Sequence, residues 1–216
     1  MKLYSYWRST SAWRVRIALH AKRVEYDYHA VNLAPDVQAQ TSEDYAQVNP
    51  LQQVPTLEWD EAGASVRLTQ SVAIIEYLEE SRPEPSLLPA AALQRARVRE
   101  AVEIVNSGIQ PFQNTWTLAE VRRLGGEGAT LPWMTRALQR GLDALEVHAE
   151  RFAGTCSVGD SVSLADLYLV PQLYHARRFG IDISRYPRLI AIDTHLSQLP
   201  AFFQARPEVQ PDAAVA

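Results

Sequence analysis

Three consecutive hydroxyl side chains, Ser9, Thr10 and Ser11, lie between a predicted strand and a predicted helix near the start of the chain. Serine and threonine are favoured at helix N-termini, so a single hydroxyl at this position is explained by capping alone. Three in succession exceed what one cap requires. Because the first amides of a helix are unpaired and favour negative charge, the pattern is also suited to stabilising an anion.

Two further motifs have both a structural and a ligand-binding interpretation. Val54-Pro55 precedes a predicted strand, where proline can simply be the first residue of that strand. If the bond is instead cis, the backbone N–H and C=O of Val54 are free to pair with a peptide ligand as an added strand. Gln70-Ser71 opens a predicted helix, where Ser71 is either a cap or part of a carboxylate site.

Other catalytic sets are missing from the sequence. The histidines have no metal-ligand spacing, and CxxC, HExxH, GxSxG, Walker and GxGxxG motifs do not occur. Cys156, the single cysteine, has no histidine beside it and is interpreted as a structural or incidental thiol. We therefore expect no metal site.

Composition narrows the class of protein. The chain has 216 residues, of which 47% are hydrophobic and 21% charged, as in globular proteins. A net charge of −4 argues against binding to nucleic-acid phosphates. One cysteine precludes an internal disulfide, and no stretch approaches the roughly 20 apolar residues that span a bilayer. We expect a soluble, cytoplasmic protein without nucleic-acid or membrane partners.

The elements that must position these motifs follow from hydrophobic patterning. The first part of the chain alternates strand and helix patterns in the order β-α-β-α-β-β-α. The proline-rich run RPEPSLLP marks a connector, and everything after it is predicted helical. We predict an α+β protein with domains at 1–83 and 93–216, joined by a linker at 84–92. Apolar residues from Val98 to Phe112 predict one long helix, kinked at Pro111. Ser163 and Asp166 predict a capping box before a buried helix.

Several blocks together resemble the zeta class of glutathione transferases. YWRSTSAWRVRIAL is similar to the class signature, with Ser11 where the class has cysteine. The blocks NPLQQVPTL, TQSVAIIEYLEE, GIQPFQN and VGDSVSLADLYLVPQ are similar to the other parts of that class. The resemblance implies a thioredoxin-like βαβαββα domain followed by an all-α domain.

The resemblance also implies roles for individual residues. Ser9, with Thr10 and Ser11 beside it, is the expected catalytic group that binds the glutathione sulfur. Arg14 and Arg16, on the helix that follows, are interpreted as structural or dimer-facing. The remaining expected contacts are Gln40, Val54, Pro55, Gln70, Ser71, Gln110 and Asn114 for glutathione, and Arg8 and Arg178 for substrate carboxylates.

The activity implied is glutathione-dependent cis–trans isomerisation of a small dicarboxylate, with glutathione as the cofactor and a homodimer as the assembly. Maleylacetoacetate is the expected substrate. Alternatives are maleylpyruvate isomerisation, and general conjugation or dehalogenation by a transferase. From a different class comes a binding module with the same fold and no catalysis.

Overall fold

The computed structural model describes residues 1–213, which divide into two compact units. The first unit contains Met1–Pro85 together with the segment that starts at Leu199, and the second contains Ser86–Gln198. This division lies within the predicted linker at 84–92, whereas the predicted second domain runs from residue 93 to residue 216. The final segment instead groups with the first unit, because its helix packs against the first helix of the chain.

The first unit is a four-stranded sheet with helices, in strand order β2-β1-β3-β4. β1 pairs with β2 in parallel, whereas β3 is antiparallel to both β1 and β4. The predicted order β-α-β-α-β-β-α is confirmed. The elements are β1 (Lys2–Ser5), α1 (Thr10–Ala21), β2 (Asp27–Ala30), α2 (Glu43–Val48), β3 (Thr56–Glu61), β4 (Ala64–Thr69) and α3 (Ser71–Ser81), to which the end of the chain adds α10 (Pro200–Ala205).

α1 is buried nearly all round, and this explains its composition. It contacts α3 and α10, so its side chains meet protein on more than one face. Val15, Ile17 and Leu19 have no exposed surface, and Arg14 and Arg16 are buried with them. A one-sided apolar stripe is what a surface helix needs, whereas a helix enclosed by neighbours is apolar on most of its circumference.

The named elements of the second unit are all helices, as predicted, and an isolated β-bridge joins Ala153 and Gly159. The prediction of one long helix through Phe112 is wrong, because α4 ends at Asn106 and Pro111 lies in the first turn of a separate helix. Gly108 permits the break, since a Cβ there would lie 2.5 Å from the carbonyl oxygen of Ile104. The helices are α4 (Ala92–Asn106), α5 (Gln110–Gln113), α6 (Thr115–Gly125), α7 (Thr130–Phe152), α8 (Leu164–Arg178) and α9 (Pro187–Leu196).

The capping box at the start of α8 is confirmed. The backbone N–H of Ser163 donates to Oδ2 of Asp166 at 2.7 Å, and Ser157 N–H donates to Oδ1 at the same distance. Asp166 has no exposed surface, and this burial raises the pKa of its carboxyl while the hydrogen bonds oppose that rise.

None of the helices among residues 1–213 is both long and apolar enough to cross a bilayer.

Candidate functional site

Ser9 is the N-cap of α1 and is partly buried. Its Oγ accepts a hydrogen bond from the backbone N–H of Ala12 at 3.2 Å, which satisfies one of the unpaired amides of the first turn. Capping uses a lone pair of the oxygen, so the hydroxyl proton remains available for donation to an anion. The structural and the functional interpretation of Ser9 are therefore compatible.

The two following hydroxyls have different surroundings. Thr10 is only 6% exposed, within the first turn of α1. Ser11 Oγ accepts a hydrogen bond from Nη2 of Arg14 at 3.0 Å, which fixes the oxygen against the helix. Supporting catalytic roles for Thr10 and Ser11 stay predictions.

Strand pairing brings the three sequence motifs to one edge of the sheet. Tyr4, near the end of β1, pairs with Thr56 at the start of β3, and Thr56 pairs with Thr69 at the end of β4. Directly paired residues are about 4.5–5.5 Å apart, so these three positions form one row across the sheet. The segments that leave or enter the row carry Ser9, Val54-Pro55 and Gln70-Ser71 respectively. Ser9 and Ser71, which are 62 residues apart in sequence, thus share this edge of the sheet.

The bond between Val54 and Pro55 is cis, as the resemblance implied. The side chain of Val54 is buried in a cluster that includes Tyr6 and Ala12, on either side of Ser9. Two donors hold the backbone just before it: Tyr45 Oη and Asn49 Nδ2 donate to the carbonyl oxygen of Gln53 at 2.8 and 2.7 Å. The sequence did not identify these two residues, because a tyrosine and an asparagine in a polar stretch give no signal of a shared acceptor.

The start of α3 favours a ligand over simple capping. The N-cap is Gln70, which makes no capping hydrogen bond, and Ser71 is the first helical residue. Ser71 is therefore not the N-cap of α3, which was one of the two roles that the sequence allowed. Gln70 has φ of +67°, a conformation that non-glycine residues adopt at a cost of about 1–3 kcal/mol and that clusters at binding sites. The uncapped amides of α3 can receive a carboxylate.

Gln40, one of the predicted glutathione contacts, is 7% exposed and lies in a short 3-10 turn. Its Oε1 is buried and has no hydrogen-bond partner among residues 1–213. A buried amide oxygen without a partner is uncommon in folded proteins. This acceptor fits a ligand with an N–H group.

Arg16 makes several hydrogen bonds to the end of β1 and to the loop between β1 and α1, which leads to Ser9. The guanidinium donates to Ser5 Oγ at 3.1 Å, to the carbonyl oxygens of Tyr6 and Trp7 at 3.3 and 2.9 Å, and to that of Ala205 at 3.1 Å. Arg16 has no exposed surface, and burial lowers its pKa to about 10. The structural interpretation of Arg16 agrees with these contacts, which fix the β1–α1 loop that presents Ser9.

Arg8, the predicted substrate contact of this loop, is partly buried. Its guanidinium carbon lies 4.4 Å from the centre of the Trp7 ring, and its Nη2 donates to Tyr6 Oη at 3.2 Å. Aromatic neighbours therefore set the direction of the guanidinium. Its Nε is buried without a partner in the part of the chain that the structure describes.

The predicted contacts of the second unit lie on α5 and α8. Gln110 Nε2 donates to Asn114 Oδ1 at 2.9 Å, and Gln110 Oε1 accepts from Nε2 of Gln172 at 3.3 Å. Gln113 Nε2 donates to Gln172 Oε1 at 2.8 Å, so the side-chain amides form a connected group. The contact of Gln110 and Asn114 with glutathione stays a prediction.

Arg178 is the last residue of α8 and is exposed, with its guanidinium carbon 4.8 Å from the Phe179 ring. The preceding Arg177 forms an ion pair with Asp193 at 2.7 Å, although its own side chain is 45% exposed. His175 lies in the same last turn of α8. Its burial and the positive charge of Arg178 lower the pKa of its imidazole to about 4.

This shift of His175 predicts a loss of stability in mild acid. Between about pH 6.5 and pH 4 the unfolded chain binds a proton at His175 that the folded chain does not, so the free energy of unfolding falls as the pH falls. From pH 7 to pH 5 we expect a loss of about 2 kcal/mol from this residue.

Urea unfolding at both pH values measures the effect. His175→Gln should reduce the pH dependence by that amount. Equal pH dependence in His175→Gln and the unchanged chain would contradict the prediction.

Comparison with known proteins gives a consistent result. Residues 1–80 match the family model of the glutathione S-transferase N-terminal domain, and residues 134–200 match that of the C-terminal domain. Maleylacetoacetate isomerase of Dictyostelium discoideum is 42% identical over 98% of this chain and 95% of its own length. Maleylpyruvate isomerase of a Ralstonia species is 43% identical over 99% of this chain and all of its own.

A solved structure is similarly close. Maleylacetoacetate isomerase from Anaeromyxobacter dehalogenans, with glutathione bound in its active site, is 48% identical. The match covers 98% of this chain and 97% of that one, with a TM-score of 0.91. A second crystal structure of the same enzyme holds dicarboxyethyl glutathione and citrate in the active site, with a TM-score of 0.90 over 98% of this chain and 96% of that one.

Proposed function

The chain belongs to the glutathione S-transferase family, and we propose that it is a glutathione-dependent isomerase that converts maleylacetoacetate to fumarylacetoacetate. The observation that carries the proposal is the row formed by Tyr4, Thr56 and Thr69, which brings Ser9, Val54-Pro55 and Gln70-Ser71 to one edge of the sheet. Relatives at 42–48% identity include maleylacetoacetate isomerases, one of which has glutathione bound in its active site.

The residues at this edge fit a tripeptide that has a thiol, amides and carboxylates. The N-terminus of α3 and Gln70 offer donors to a carboxylate, and the backbone of Val54 lies beside a fixed carbonyl at Gln53. The buried oxygen of Gln40 offers an acceptor to an N–H group. Ser9 offers a hydroxyl proton to the sulfur. The sulfur, an amide N–H and one carboxylate of the tripeptide therefore each have a chemically matched residue.

Ser9 and α1 can supply the ionisation that the reaction needs. A free thiol has a pKa of about 8.5, and lowering it to about 6.5 requires about 2.7 kcal/mol of preference for the anion. A helix N-terminus contributes roughly 0.3–1 kcal/mol, up to about 2 in favourable settings. A hydrogen bond to a charged group adds about 1.5–3 kcal/mol. The sum reaches the requirement without a general base.

When bound, glutathione supplies a thiol whose anion can add reversibly to the conjugated cis double bond and so permit rotation about it. The residues of the chain hold the partners of that reaction. Ser9 holds the sulfur as the anion through its hydroxyl proton, both before addition and after elimination. Arg8 offers a planar fork of N–H donors to a substrate carboxylate. Arg178, on the second unit, is proposed as a further carboxylate contact.

A direct assay tests the proposal. Maleylacetoacetate and maleylpyruvate are each incubated with the purified chain, with and without glutathione, and the loss of the cis isomer is followed by absorbance. We expect turnover of maleylacetoacetate only in the presence of glutathione. Absence of turnover with retention on immobilised glutathione would instead indicate another transferase, whereas absence of turnover without retention would indicate a binding module.

Maleylpyruvate isomerisation is the second candidate. It is favoured by the Ralstonia relative, which matches this chain along its whole length at 43% identity. A kcat/KM for maleylpyruvate higher than that for maleylacetoacetate would select this alternative.

Arg178→Ala should raise the KM for the dicarboxylate substrate about tenfold, because a charged hydrogen bond to a carboxylate is lost. Steady-state kinetics at saturating glutathione measure it. Arg177→Ala is the matched control, since that guanidinium is already bound to Asp193. An unaltered KM in Arg178→Ala would remove this residue from the site.

We also propose that the chain forms a homodimer in the cytoplasm, as the family resemblance implies. Light scattering during gel filtration tests the assembly. A mass equal to that of one chain would contradict it.

A further inference from the structure

Asp212, in the C-terminal segment (residues 199–213), contacts the loop that presents Ser9. Its Oδ2 accepts a hydrogen bond from the backbone N–H of Trp7 at 3.1 Å. Its Oδ1 accepts one from Tyr28 Oη at 2.7 Å, which orients the carboxylate. Trp7 and Tyr28 belong to the same compact unit as this segment.

The contact with Trp7 complements those of Arg16. The carbonyl oxygens of Tyr6 and Trp7 accept from Arg16, and Ser9 N–H donates to Tyr6 O at 3.0 Å. Arg16 has no acceptor to offer, so it cannot bind the N–H of Trp7. Asp212 supplies that acceptor with a charged group, which makes the hydrogen bond stronger than a neutral one.

Trp7 in turn supports Arg8. The Trp7 ring centre lies 4.4 Å from the guanidinium carbon of Arg8, nearer than the ring of Tyr6 at 6.0 Å. A shift of the Trp7 backbone moves this ring, and the guanidinium loses the surface against which it lies. The position of Arg8 therefore depends on the amide that Asp212 holds.

We propose that Asp212 is a positioning residue that acts through Trp7 to direct Arg8 toward a carboxylate of the substrate, and so contributes to selectivity for dicarboxylates. The inference rests on the proposed function for the identity of the ligand of Arg8. Asp212 itself touches neither cofactor nor substrate in this scheme. Its influence should appear in the binding of the carboxylates and not in the binding of the tripeptide alone.

Calorimetric titration of the full chain with glutathione and with dicarboxyethyl glutathione separates these two contributions without requiring turnover. Asp212→Ala should weaken binding of the conjugate about fivefold and that of glutathione less than twofold, since a misplaced guanidinium loses part of a charged hydrogen bond. Arg8→Ala should weaken the conjugate about tenfold. In the Arg8→Ala background, Asp212→Ala should have almost no further effect on the conjugate.

Three further variants distinguish positioning from general stability. Asp212→Asn keeps an acceptor and should restore most of the affinity for the conjugate. Tyr28→Phe frees the carboxylate without removing it and should cause a loss of about twofold, which provides the test if Asp212→Ala does not fold. Gln210→Ala is the control, since its Nε2 donates within the C-terminal segment, to Gln204 O and Arg206 O.

Several results would overturn the proposal. One is that Asp212→Ala weakens the binding of glutathione and of the conjugate equally. Another is that Gln210→Ala weakens binding of the conjugate as much as Asp212→Ala does. A third is that the effects of Asp212→Ala and Arg8→Ala on binding of the conjugate are additive. No loss in folded Tyr28→Phe would count the same way if Asp212→Ala cannot be obtained. Failure of the proposed function looks different: the unchanged chain would bind the conjugate without isomerising maleylacetoacetate, and the double-mutant comparison would still decide on Asp212.

Discussion

Replacing Ser9 with alanine should lower kcat about 100-fold while changing the KM for glutathione less than threefold. The hydroxyl donates to the sulfur anion, and a hydrogen bond to a charged group contributes about 1.5–3 kcal/mol. Its loss should return the pKa of the bound thiol toward about 8.5, so little anion is present at neutral pH. Thiolate absorbance as a function of pH measures this shift independently of turnover.

Two controls separate the sulfur contact from the loss of a helix cap. Ser42 caps α2 as Ser9 caps α1, accepting from the backbone N–H three residues on, that of Tyr45, at 3.2 Å. Ser42→Ala should therefore reproduce the stability cost of about 1 kcal/mol without the loss of turnover. Ser9→Thr keeps a hydroxyl and should retain much of the activity. Unchanged kcat in Ser9→Ala would rule out the role assigned to this hydroxyl.

Arg16→Met should lower the free energy of unfolding by about 3–5 kcal/mol, because it leaves several buried acceptors without a donor. The carbonyl oxygens of Tyr6, Trp7 and Ala205 would lose a buried donor, and each such loss costs about 1–3 kcal/mol. Urea denaturation followed by circular dichroism measures the total. Hydrogen exchange assigns the loss to the first unit.

Arg67→Met is the matched control for this change. Arg67 pairs with Glu58 in the same unit, but its side chain is 40% exposed, so its ion pair should contribute less than about 1 kcal/mol. A destabilisation of similar size in the two variants would show that Arg16 has no special structural role.

Local patterns were sufficient to predict the order of the elements and the motifs at the sheet edge. The hydroxyls at Ser9, the proline at 55 and the serine at 71 each stand at a boundary that hydrophobic patterning defines. Their convergence follows from the strand pairing that the β-α-β-α-β-β-α order implies. The capping box of Ser163 and Asp166 could also be predicted from the sequence, because the spacing of its two residues is fixed by one helical turn.

What the sequence did not reveal depends on contacts between distant segments. The hydrogen bond between Asp212 and Trp7 joins opposite ends of the chain and has no local signature. The same holds for the bond between Arg16 and Ala205, although a burial of α1 on several faces could be suspected from its apolar composition. The break before Pro111 was not predicted, because the apolar spacing continues across Gly108 although α4 ends at Asn106.

The return of the last segment to the first unit has a consequence for biosynthesis. Residues 1–85 leave the ribosome first, yet Arg16 lacks one of its acceptors and Trp7 its amide partner until residues 205 and 212 have been made. Domains generally fold as units during translation, N-terminal ones first. Here the nascent N-terminal part must wait for the whole helical unit to be synthesised before its packing is complete.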